Sequence, residues 1–209
     1  MKKLCPFIAL VLMLTLLFCS AASADVITAL AIEINPEHLE KVASYARVLG
    51  YNEKENTLTV QLIVPEIFSW EDVEALKVGD SIYTDGQEVV IESILGSDWS
   101  GVFQINDGDV FLTKPFDGNG DYATVTDYGD YIWNVLAVIE CPVTESLLFL
   151  DYINEDDGGM RTLPVVRTLE EFLDRLENGP VPFDENNVYV VFDGEGNLAA
   201  IHRFYVPWQ

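Results

Sequence analysis

The chain has 209 residues and a formal charge of −24, from 11 basic and 35 acidic residues. A surface so poor in Lys and Arg excludes nucleic acid and anionic membranes as partners, because cations that neutralise phosphate supply most of that affinity. The acids are interleaved with strong apolar segments, so the composition is that of a folded chain and not of a disordered acidic tail.

Lys2 and Lys3, the apolar run Leu4 to Phe18 and the small residues Ala22-Ser23-Ala24 have the pattern of a secretory signal peptide over residues 1–24. The expectation is cleavage before Asp25, release outside the cytoplasm and no membrane integration afterwards. The run is shorter than the roughly 20 residues of a retained anchor. A lipoprotein built on Cys19 is the lesser alternative, because bulky Phe18 precedes the cysteine. The leader carries two bases and no acid, so its loss takes the charge from −24 to −26. Cys5 and Cys19 leave with it. Cys141 then stands alone, the chain is disulfide-free, and this thiol on an apolar run reads as a small buried hydrophobe. The chain has the general look of a small secreted bacterial protein, a likeness that carries no activity.

Val26 to Ile34 is strand-like, and Pro36 to Val42 has room for one helical turn. Ala43 to Tyr51, a polar turn at 52–56 and Thr57 to Val64 predict a hairpin. Ser69 as N-cap predicts a short helix over Trp70 to Lys77. Ser81 to Thr84, Asp85-Gly86 and Gln87 to Leu95 predict a second hairpin, since Asp-Gly favours positive φ. Val102 to Ile105 and Val110 to Thr113 predict a third. Residues 116–131 read as a Gly/Asp-rich loop with a short strand at Ala123 to Thr126. Tyr131 to Glu140 and Glu145 to Tyr152 are apolar enough for central strands, with a break at Cys141-Pro142. Leu163 to Val166 reads as a strand. Thr168 and Glu171 have capping-box spacing ahead of a helix over Leu169 to Asn178, and Gly179-Pro180 ends it. Val188 to Phe192 and Leu198 to Tyr205 form the last hairpin.

These elements predict a mainly β to α+β fold, with antiparallel hairpins forming sheets or small barrels and two short helices. The expected organisation is a β-rich part over 25–115, the acidic loop 116–131 and an α+β part over 132–209, or one domain over 25–209. A helix, gap and hairpin recur about 100 residues apart, a pattern that common motifs produce by chance.

Asp117, Asn119 and Asp121 place oxygen side chains at alternate positions, as a calcium loop does. The match to an EF-hand loop stops there: Tyr122 replaces the turn glycine and Tyr128 the bidentate Glu. Asp151, Asn154, Glu155, Asp156 and Asp157 form a second acidic stretch, read as an exposed turn. His38 and His202 are the only histidines. No nucleophile elbow, phosphate loop, dinucleotide fingerprint or zinc ligand set is present in the sequence. Tyr122, Tyr128, Tyr131 and Trp133 gather beside the acidic loop, and such rings serve contacts with sugars or proteins as well as ordinary sheet packing.

The expectation is therefore a secreted, acidic, β-rich protein acting without catalysis, as a binding or structural module. Its expected partner is an extracellular protein, a carbohydrate or a small ligand, with no cofactor beyond a possible structural calcium. The alternative is a secreted carboxylate-dependent hydrolase supported by calcium.

Overall fold

The computed structural model describes residues 24–97, 102–114, 120–153, 159–179, 183 and 187–204. The leader with Cys19, the candidate oxygens Asp117 and Asn119, and residues 154–158 lie outside the described residues. The described chain is mostly strand with two helices, arranged in three sheets of which none closes into a barrel.

Seven strands form the largest sheet. They are β2 (Ala43–Asn52), β3 (Thr57–Pro65), β11 (Trp133–Pro142), β12 (Leu148–Ile153), β13 (Met160–Arg167), β14 (Val188–Phe192) and β15 (Leu198–Arg203). Their spatial order is β11-β3-β2-β14-β15-β12-β13, antiparallel throughout except where β12 runs parallel to β15. The sheet thus joins strands from both the 25–115 and the 132–209 segments. A five-stranded sheet has the order β4 (Ile67–Phe68), β10 (Tyr122–Val125), β9 (Val110–Thr113), β8 (Val102–Ile105) and β7 (Ile94–Ser97). A three-stranded sheet pairs β1 (Val26–Thr28) in parallel with β5 (Ser81–Thr84), and β5 with β6 (Gln87–Val90).

Two apolar cores follow from this division. The larger packs Ala46, Val48, Leu58, Val60, Leu62, Val190 and Ile201 beneath helix α2 (Leu169–Asn178). Alternation puts these residues on one face of the large sheet and their neighbours on the other. The smaller core packs Phe68, Ile82, Ile105, Leu112 and Tyr122 with Val73 of helix α1 (Trp70–Ala75). It fills the space shared by the two smaller sheets. Buried Glu66 ties them together by accepting the Thr84 hydroxyl at 2.6 Å, the Thr124 hydroxyl at 2.9 Å and the Asp85 amide at 3.1 Å.

Both helices start where their caps place them. Ser69 Oγ accepts from the Asp72 amide at 3.2 Å. The Thr168 hydroxyl accepts from the Glu171 amide, and the Glu171 carboxylate accepts from the Thr168 amide at 2.9 Å. Each such cap contributes about 1 kcal/mol. The Asp85-Gly86 turn has both residues at positive φ, 49° and 72°, the geometry that matches a two-residue turn to strand twist.

Several expectations are corrected. The N-terminal strand stops at Thr28, and residues 36–42 form turns with no helix. Helix α1 ends at Ala75, two residues before Lys77. The run Gln87 to Leu95 splits between two sheets, because Asn106 bonds the Val90 carbonyl at 2.8 Å and the Glu92 amide at 2.7 Å and turns the chain there. Finally, β11 is an edge strand and continues through Pro142, which pairs with Thr57. An edge position accommodates a residue with no amide hydrogen.

Residues 66–132 depart from β3 and return at β11. Pro65 and Trp133 are register partners, and the Glu66 amide bonds the Ile132 carbonyl at 2.8 Å.

Candidate functional site: an uncharged stripe across the open sheet face

The face of the large sheet opposite α2 carries a continuous row of cross-strand partners. From β11 to β13 it runs Val135, Ile63, Tyr45, Tyr189, His202, Leu150 and Val166. Directly paired residues point to the same side of a sheet, so these seven share one face. Six steps at the usual strand spacing make the row roughly 29 Å long. It crosses every strand without a formally charged side chain, in a protein of charge −24.

Rings thicken the row. Tyr45 meets Trp133 at 5.1 Å and Tyr189 at 5.5 Å. Trp133 meets Tyr131 at 5.7 Å, and His202 lies 6.4 Å from Tyr189 and 6.2 Å from Tyr152. Except for the stacked Tyr152–His202 pair, these contacts are tilted or edge-on, the favoured geometry between ring quadrupoles. The packing limits the orientations open to each ring. Val135 remains 53% exposed and Val166 62% exposed, so nothing among the described residues covers the two ends, whereas Ile63 within the row is fully buried. Burial lowers the pKa of His202, which keeps the imidazole neutral at pH 7 and the row uncharged.

Of the sequence-predicted rings, Tyr131 and Trp133 join this surface. Tyr128 stands apart on the turn before β11 and is 84% exposed. Tyr45, Tyr189 and His202 were not marked by the sequence as ligand contacts. Their signal is weak: single aromatics alternating with buried aliphatics, which any half-buried strand shows. Only the register brings them into line.

The acidic candidates are placed differently. Asp121 accepts from the Trp70 amide at 3.1 Å and so serves the start of α1. Among the described residues no group of three or more His, Cys, Asp or Glu side chains is arranged to hold a metal ion. Asp151 is not part of an exposed turn. It is 3% exposed within β12 and faces three arginines. Arg203 donates to its two oxygens at 3.1 and 2.9 Å, Arg167 donates at 3.2 Å, and Arg175 Nε of α2 lies at 3.6 Å. The Arg203 guanidinium also stacks over Phe183 at 4.8 Å. The cavity beside this cluster is about 10 Å³, on the order of one water. The cluster therefore fastens α2 and β13 to the sheet and offers no ligand space.

Cys141 is buried in the larger core. Burial, with a smaller push from Glu140, raises its thiol pKa to about 11, so it is no nucleophile at neutral pH. His38 lies on the surface, 3.8 Å from Glu40.

Two grooves lie along the paired strands β9 and β10 of the five-stranded sheet. One, of about 310 Å³, is bordered by Asp85, Asp109 and Asp127. The other, of about 390 Å³, runs beneath Tyr128 and Tyr131. Among the described residues no helix is long and apolar enough to cross a membrane. Comparison of the chain with protein-family models, with curated proteins and with solved structures gives no match.

Proposed function

We propose that the chain is a secreted, non-catalytic binding module that docks a protein partner on the uncharged stripe. The observation that carries this reading is the unbroken register row from Val135 to Val166. Aromatic anchors surrounded by aliphatic side chains are the composition of a protein-interface centre, and charge is depleted there in the same way. The tilted rings offer edges and corners for interdigitation instead of one flat platform. The charge of −26 left after loss of the leader selects the partner's rim: a basic surface gains attraction, and a second copy of this chain is repelled.

The test is biolayer interferometry of the immobilised protein against a panel of purified basic and acidic proteins. Tyr45→Ser/Tyr189→Ser is the comparison, with circular dichroism as the check on folding. The expected result is binding to particular basic proteins that weakens with salt and falls more than about tenfold in the double variant. Equal binding by the double variant would refer the attraction to net charge alone and sink the proposal.

One observation favours a second reading, carboxylate-dependent hydrolysis: Asp85, Asp109 and Asp127 border a single groove. Release of reducing ends from soluble polysaccharides, lost on Asp127→Asn, is its signature.

A further inference from the structure

We infer that the groove beside Tyr128 is a binding site for a neutral or amino-bearing sugar ring, which meets the stripe only at Tyr131. The turn that presents Tyr128 is fixed by its own backbone. The Thr126 amide bonds the Asp130 carbonyl at 2.7 Å, and the Gly129 amide bonds the Thr126 carbonyl at 3.0 Å. The Asp130 amide bonds the Thr126 hydroxyl at 3.2 Å. Gly129 takes φ +91°, which a side chain rarely adopts. The fold thus holds a large ring in water, at 84% exposure, on a turn with little freedom.

What lies under that ring is a groove of about 390 Å³, within the usual size of small-ligand sites. Phe111 and Val125 give it an apolar floor, and Tyr131 gives it a second ring. Polar groups sit at the rim: the Thr113 hydroxyl, the Asp127 carboxylate and the Lys114 ammonium, which is steadied 5.0 Å over the Tyr122 ring. A pyranose has the matching chemistry. One face of its ring is a patch of C–H bonds that packs on an aromatic surface, and its edge carries hydroxyls that both donate and accept. The 310 Å³ groove shares Phe111, Val125, Thr126 and Asp127 with the first. A second sugar unit can therefore continue across the shared wall. Asp85 and Asp109 border that second groove, so acidic sugars are repelled and amino sugars are tolerated.

The experiment is saturation-transfer NMR and calorimetry of the whole secreted chain. The probes are soluble cello-, xylo-, manno- and chito-oligosaccharides, chitosan oligomers, and oligogalacturonate as the anionic control. The expected result is binding of at least one neutral or amino series at roughly millimolar Kd, with saturation transfer to the sugar C–H protons and no binding of oligogalacturonate. Tyr128→Ala lowers the affinity about tenfold or more, and Tyr128→Phe retains it. Tyr45→Ser/Tyr189→Ser leaves sugar binding unchanged, which separates this site from the stripe. Absence of binding across the whole panel overturns the inference. Preference for the anionic series, or equal binding by Tyr128→Ala, overturns it too.

Discussion

Arg203 and Asp151 face each other across the parallel pair β15 and β12 and are joined by two hydrogen bonds of 3.1 and 2.9 Å. Both are 3% exposed. Neither charge has water to fall back on, so each depends on the other. Burial by itself would raise the Asp151 carboxyl. The hydrogen bonds and charge of Arg203, the Ile153 amide and Arg167 outweigh it and hold the pKa below the usual carboxylate range.

Removing that carboxylate leaves Arg203 buried beside Arg167 and Arg175. Asp151→Asn is expected to cost about 3–5 kcal/mol in urea unfolding. The wild-type contribution has a fixed pH sign. It is complete above the unfolded carboxyl value, near pH 3.9, and is lost as pH falls through the lower folded value. A wild-type acid unfolding profile with no loss over that range, or a cost near zero for Asp151→Asn, would contradict the assignment.

His202 gives a second pH dependence at a different place. Burial lowers its folded pKa, so on acidification the unfolded chain takes up the proton first. The stabilising contribution is complete above about pH 6.5 and disappears as pH falls through the folded value. His202→Gln should flatten the fall in Tm as pH drops below about 6.5. An unchanged slope would show that the imidazole is not desolvated in the row.

Cys141 is expected to be chemically silent in the native chain. With a thiol pKa of about 11, only roughly one molecule in a thousand is thiolate at pH 8. Alkylation of residues 25–209 by iodoacetamide should be negligible over hours and quantitative in guanidinium. Rapid native labelling, read by intact mass, would place the thiol outside the core.

The Tyr122 hydroxyl is buried with no hydrogen-bond partner among the described residues. Burying an unpaired hydroxyl costs about 1–3 kcal/mol. Tyr122→Phe removes it while keeping the edge-on contact with Phe103 and a ring beneath Lys114. The variant is expected to be as stable as wild type or more stable by up to about 1 kcal/mol, by denaturant midpoint. A clear loss of stability would reveal a partner for the hydroxyl.

What the sequence made legible was local chemistry. Thr168 and Glu171 close a capping box within four residues, and α2 spans the residues their spacing implied. Asp85-Gly86 turns the chain as its φ preferences require. What stayed hidden depends on residues far apart. The break after Val90 needs the side chain of Asn106, 16 residues on. Asp151 resembles one more acid near a turn until Arg203 arrives from 52 residues away. The run Tyr131 to Glu140 looked central because it is mostly apolar. Its outward side chains, Val135 and Val138, are apolar on an exposed edge strand. Periodicity reports which residues are apolar; it does not distinguish an interior strand from an exposed edge strand. The stripe itself is a property of register, which no single strand encodes.

The meeting of Pro65 with Trp133 also has a kinetic side. Joining β3 to β11 through a loose chain would demand closure of a loop spanning residues 66–132, and that entropy must be lost before the pairing is gained. Once β4 and β10 have paired and Glu66 has bonded Ile132, the two ends already stand side by side. Prior formation of the small core is therefore expected to shorten the loop that must close to dock β11 on β3. Pulse-labelled hydrogen exchange during refolding should protect the amides of β8–β10 no later than those of β11, and an early, independently protected β11 would reverse that order.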